Sequence, residues 1–178
     1  MLVFQYGSNM SSKRLNSQER LAGDAKRLGI AHTVDPYRLC FPVWSKTNSC
    51  AAASICPGPD GRPIFGVVYE IPESLVYRQK ARTLNRKSLD AIEGEGTNYV
   101  RTKTDVVQSD GAVISATTYL ARKAGPELKT SADYARYILM GLAENEMPPA
   151  CREYVAACIA QSNPELAGMV KEWHVTGT

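Results

Sequence analysis

Leu2-Val3-Phe4-Gln5-Tyr6-Gly7-Ser8-Asn9-Met10 is a short apolar run that breaks abruptly into a turn. The apolar part reads as a strand, and Tyr6-Gly7-Ser8-Asn9 as the loop that ends it. Gly7 permits a sharp turn or a positive φ, and Ser8 and Asn9 bend a backbone through local side-chain hydrogen bonds. Such a turn directs several N–H groups at one point, which suits a carboxylate or a developing oxyanion. The same composition also fits an ordinary strand-ending turn. Ser8 is a poor nucleophile candidate, because the G-x-S-x-G pattern is absent and no histidine lies nearby in sequence.

Working outward, Ser11-Ser12 ahead of Lys13-Arg14-Leu15 predict a short capped helix. Residues 25–44 are rich in β-formers and broken at Asp35-Pro36, which predicts two strands or one bent strand. Residues 51–56 form a further strand, followed by the turn Pro57-Gly58-Pro59-Asp60-Gly61. Residues 64–71 are the clearest strand, and their unbroken apolar run predicts burial on both faces. Residues 72–87 are polar and basic, with Arg78, Lys80, Arg82, Arg86 and Lys87. That segment has few ways to build a core and is expected to shape a pocket rim or to be mobile.

Residues 88–93 predict a helical turn ending at Gly94, and residues 99–108 and 113–120 a hairpin around Ser109-Asp110-Gly111. The last third is helical. Tyr134, Tyr137, Ile138, Gly141 and Leu142 fall at helical spacing after Thr130 or Ser131, and Pro148-Pro149 open a second helix that Asn163-Pro164 ends. Strands first and helices last point to an α+β fold with two helices near the C-terminus, and residues 1–178 read as one domain.

The second stretch with chemical content is Leu89-Asp90-Ala91-Ile92-Glu93-Gly94-Glu95. On a helical turn Asp90 and Glu93 share a face. A carboxylate in a partly dry cavity has its pKa raised and shuttles a proton near neutral pH, whereas in a solvated loop it does neither. Asp133, Tyr134 and Tyr137 lie on the first C-terminal helix, where tyrosines at helical spacing are more often core or interface residues than catalytic ones.

Taken in order, these features resemble the γ-glutamyl cyclotransferase family. The resemblance rests on Tyr6-Gly7-Ser8-Asn9 after the first strand, Phe65-Gly66-Val67-Val68-Tyr69 in a central strand, Leu89-Asp90 and Glu93-Gly94 ahead of Tyr99, and Tyr137-Ile138-Leu139-Met140-Gly141 followed by Glu144-Asn145. It spans nearly the whole chain. It implies a mixed, barrel-like sheet with flanking helices and a cavity between the first loop and the acidic loop. By the same resemblance, backbone N–H groups of Tyr6, Gly7, Ser8 and Asn9 bind the glutamyl moiety. Glu93 is the acid/base residue, Tyr99 and Tyr134 line the cavity, and Glu95 has no assigned role.

The implied reaction closes a γ-glutamyl amide into 5-oxoproline, a chemistry of glutathione metabolism, with no cofactor and no metal. Two other readings share the scaffold: a non-catalytic binder of a carboxylate metabolite, and a cyclotransferase for a γ-glutamylamine, a γ-glutamyl-modified carrier or a natural product. The basic segment at 72–88 departs from the family's pattern. Its Arg78, Arg82 and Arg86 are expected to select a leaving group that bears a carboxylate.

Bulk properties narrow the partners. The net charge of +3 over 178 residues is too small to argue for nucleic acid or a membrane surface, and no apolar run approaches the ~20 residues of a membrane helix. The first residues lack a charged segment ahead of a long apolar one, so no secretion signal is expected and the cytoplasm is the expected compartment. A homodimer is left open. The five cysteines, Cys40, Cys50, Cys56, Cys151 and Cys158, show no C-x-x-C spacing and read as reduced, buried thiols. His32 and His174 are too few to suggest zinc.

Overall fold

The apolar run at residues 64–71 becomes β5 (Phe65–Glu70), with Gly66, Val67, Val68 and Tyr69 buried as its pattern requires. The computed structural model, which describes residues 1–123 and 125–176, sets this strand between β1 (Leu2–Gln5) and β2 (Lys26–Thr33), antiparallel to both. β2 continues into β6 (Tyr99–Gln108), β6 pairs with β7 (Val113–Ala121), and β7 meets β1 in parallel at Val3↔Thr117. The order β1-β5-β2-β6-β7 is a closed barrel. Closure leaves no free edge in these five strands and brings the end of β1 beside β7.

Asp35-Pro36 separates two strands that do not share a sheet. β3 (Arg38–Ser45) pairs with β4 (Cys50–Cys56) as a two-stranded hairpin outside the barrel. β4 is buried from Cys50 to Ile55, and the Ala121 N–H is bound to Ser54 Oγ at 2.9 Å, which holds the hairpin to β7. Here the cysteine reading is corrected. Cys40 lies opposite Ser54, two residues from Cys56, and the two cysteines are joined in a disulfide with Cα atoms 6.6 Å apart. Such diagonal neighbours on paired strands are within bonding range. Cys50 and Cys151 are buried free thiols, and Cys158 is half-buried.

The helices follow their sequence signals with two exceptions. α1 (Ser12–Leu15) is capped by Ser11, and α4 (Leu89–Glu93) starts at a Ser88 cap and stops at Gly94, whose φ of 70° is left-handed. The basic segment between β5 and α4, expected to shape a pocket rim or to be mobile, is helical. It forms α2 (Glu73–Val76) and α3 (Arg78–Thr83), anchored by buried Leu75, Val76 and Ala81. Those three apolar side chains supply the core contact that its charges obscured. α5 (Ala132–Glu144) begins at Ser131 and packs on the loop after β1; α6 (Pro149–Ser162) follows. The chain then makes a third C-terminal helix, α7 (Ala167–Thr176), where two helices were expected. Asn163 ends α6, but its Oδ1 accepts from the Thr130 N–H at 2.7 Å and its Nδ2 donates to the Ile159 carbonyl, so the break is a braced corner from which helix resumes. Among the described residues no helix is long and apolar enough to cross a membrane.

Candidate active site

At the end of β1 the chain turns through Tyr6 and Gly7 into a single 3-10 turn, Ser8–Met10, closed by the Met10 N–H on the Gly7 carbonyl at 3.0 Å. Gly7 has φ −110°, so the positive φ open to glycine is not used. The turn is pinned from behind. Tyr69 Oη and Asn145 Nδ2 both donate to the Met10 carbonyl, at 2.7 and 3.0 Å. The leading N–H groups of such a turn have no partner within it and are left for something else to bind.

α4 approaches from the other side. Although one turn carries both its acids, they part company. Asp90 is buried and takes Arg101 Nη1 at 2.6 Å and Tyr119 Oη at 2.8 Å, a contact that fixes the helix against the barrel. Glu93, at the helix end, accepts from Asn9 Nδ2 at 2.8 Å. Arg20 Nη1 donates to Asn9 Oδ1, also at 2.8 Å, so the Asn9 amide is held at both ends with its nitrogen turned to Glu93. Burial raises the Glu93 carboxyl above its ordinary value of 4.5, while Asn9, Arg20, Gln5 and Arg14 pull in the opposite direction.

Tyr99 and Tyr134 complete the wall by one shared device. Tyr99 Oη donates to the Ala53 carbonyl at 2.7 Å, and Tyr134 Oη accepts from the Ala53 N–H at 3.1 Å. Tyr6 Oη donates to the Tyr119 carbonyl. Burial lifts the pKa of all three phenols, which keeps them neutral. These groups enclose a small inner cavity of about 30 Å³ between Gly7, Glu93 and the tyrosines. It adjoins an outer cleft of about 410 Å³ that shares Ser8, Asn9, Glu93, Tyr99 and Tyr134.

Thus all seven residues singled out in the sequence, Glu93 with Tyr6, Gly7, Ser8, Asn9, Tyr99 and Tyr134, line one inner cavity. The basic segment does not take part. Arg78 donates to the Asp90 and Glu95 carbonyls, and Arg86 binds the Leu21 carbonyl and pairs with Asp24. These arginines brace loops, and neither they nor Arg82 line the cleft. The cations that do are Arg20, in the loop after α1, and Lys46, on the turn between β3 and β4; Asn48 of the same turn and Trp44 near the end of β3 also line the cleft. Sequence reasoning missed these, along with Gln5 and Tyr119. For Gln5 a signal existed, a polar residue closing an otherwise apolar strand; for the others only the fold reveals the placement.

A family model described as "Gamma-glutamyl cyclotransferase, AIG2-like" matches residues 3–137. Among solved structures, an uncharacterized protein from Homo sapiens is 27% identical, with 88% of this chain and 86% of that one covered and a TM-score of 0.71. A structure titled "Gamma-glutamyl cyclotransferase" is 23% identical, covers 97% and 98%, and has a TM-score of 0.73. YkqA from Bacillus subtilis is 22% identical at a TM-score of 0.68, covering 92% of this chain and 54% of its own. No curated protein matches.

Proposed function

The chain belongs to the "Gamma-glutamyl cyclotransferase, AIG2-like" family, and from that premise we propose that it converts a γ-glutamyl amide to 5-oxoproline and a free amine or amino acid. The observation that carries the reading is the hydrogen bond from Asn9 to Glu93. It sets the one carboxylate among the described lining residues of both cavities beside the turn that follows β1.

In this reading the α-carboxylate of the substrate takes the leading N–H groups of the Ser8–Met10 turn, with the charge of Arg20 behind them. The γ-glutamyl chain folds in the outer cleft, at the mouth of the inner cavity, so that its own α-amine faces its γ-carbonyl. Holding that conformer removes the entropic cost of ring closure, which is where intramolecular reactions gain most. Glu93 accepts the amine proton as the new N–C bond forms and returns it to the leaving nitrogen as the old C–N bond breaks. A carboxyl raised by burial yet still ionisable suits both halves of that exchange. No cofactor is called for.

Incubation with a panel of γ-glutamyl amino acids, γ-glutamylamines and glutathione, read by mass spectrometry for 5-oxoproline, tests the reading. Product from at least one member is expected. Binding of glutamyl compounds with no product from any of them would favour a non-catalytic carboxylate binder.

A further inference from the structure

Gln5 closes β1, opposite Val67 on β5, and is 6% exposed. It shares a strand face with fully buried Val3. Its amide faces Glu93 and favours the ionised carboxylate. Even so, Nε2 is buried with no hydrogen-bond partner. Gln5 lines the inner cavity with Glu93 and Tyr119.

An orphaned amide donor in the interior destabilises the fold, and methionine or leucine would fill the same strand position without that penalty. The donor is therefore placed for an acceptor that arrives with a ligand. Amide nitrogen only donates, so the group it meets must be an acceptor, and the carbonyl oxygen of a γ-glutamyl group is one.

We propose that Gln5 is a further substrate-contacting residue, whose Nε2 donates to the γ-carbonyl oxygen of the bound γ-glutamyl group and to the oxyanion that replaces it during ring closure. The inference rests on the cyclotransferase reading above. As the α-amine bonds to the carbonyl carbon, the carbonyl π pair moves onto oxygen and Gln5 stabilises the charge. The pair returns as the C–N bond to the leaving amine breaks, and that nitrogen takes its proton from Glu93. Gln5 neither gains nor loses a proton.

The test is Gln5→Met, which keeps length and removes the donor, compared with the parent in urea unfolding and in 5-oxoproline formation. The expected result is stability equal to or above the parent with kcat lower by on the order of 10²-fold, the usual loss for one oxyanion donor, and KM changed little. Unchanged kcat overturns the inference. So does a fall in kcat that is no larger than the lost folded fraction, because it makes Gln5 a structural residue. If Gln5→Met does not fold, Gln5→Asn, which retracts the amide by one methylene, is read by the same criteria. A parent that makes no 5-oxoproline from any γ-glutamyl amide removes the underlying reading as well. An active parent with an equally active Gln5→Met removes this inference alone.

Discussion

Asn9 Nδ2 and Glu93 Oε1 stand 2.8 Å apart across 84 residues of sequence, and that contact ties the turn after β1 to the end of α4. If Glu93 is the proton carrier, Glu93→Gln keeps the shape and the Asn9 contact but cannot exchange a proton at neutral pH. We predict a fall in kcat of on the order of 10²-fold or more with KM nearly unchanged. Glu95→Gln, the same change two residues away, should retain most activity. The reverse pattern in 5-oxoproline assays would move the role to Glu95.

The raised pKa of Glu93 predicts two pH effects. The acid limb of kcat/KM should lie above the ordinary carboxylate value of 4.5. Stability should move in the opposite sense. At low pH Glu93 is protonated in both folded and unfolded chains. Above about 4.5 the unfolded chain ionises first, so stability falls as pH rises through the folded value and then levels off. Glu93→Gln carries no such penalty and should gain on the parent across that window in urea titrations at stepped pH. Parallel curves for the two proteins would count against a buried, raised carboxyl.

Arg20 fixes which end of the Asn9 amide meets Glu93. Arg20→Met frees that amide to flip and removes a nearby cation, so kcat/KM should fall about tenfold or more, as expected for losing a hydrogen bond to a charged group. The acid limb should also move to higher pH. The groups facing Glu93 that remain are Asn9, Gln5, Arg14 and the phenols of Tyr6, Tyr99, Tyr119 and Tyr134, and only Arg14 among them is a cation. A uniform loss at every pH, with the limb unmoved, would confine Arg20 to a packing role.

Asp90 is the stability counterpart of Glu93. Its carboxylate is 5% exposed and serves both Arg101 and Tyr119. Asp90→Asn should cost about 2–4 kcal/mol in urea unfolding, below the full figure for a broken buried pair because Arg101 is partly in water. A loss under about 1 kcal/mol would mean that this network does little to hold α4.

The sequence disclosed the barrel strands and the two sides of the cavity because those features are local. A strand run into Tyr-Gly-Ser-Asn and a Ser-capped turn ending at a left-handed Gly94 each announce themselves within ten residues. What stayed hidden depends on pairing. Cys40 and Cys56 become neighbours only when β3 folds onto β4. Arg20 and Lys46 carry no local signal, and they reach the cleft through a long loop and an outlying hairpin. Residues 72–87 misled for a different reason. Their charges dominate the composition, while three small apolar anchors decide the structure.

The hairpin of β3 and β4 stands outside the barrel's closed strand order, yet its turn walls the outer cleft and its Ala53 backbone receives both cavity phenols. One wall of the outer cleft is thereby built on a unit that lies apart from the barrel strands. The residues at 45–48 form a hairpin tip outside the barrel register that carries Gln5 and the helix end that carries Glu93. If the cyclotransferase reading holds, exchanging that one loop refits the cleft to a different amine partner and leaves Gln5 and Glu93 in place.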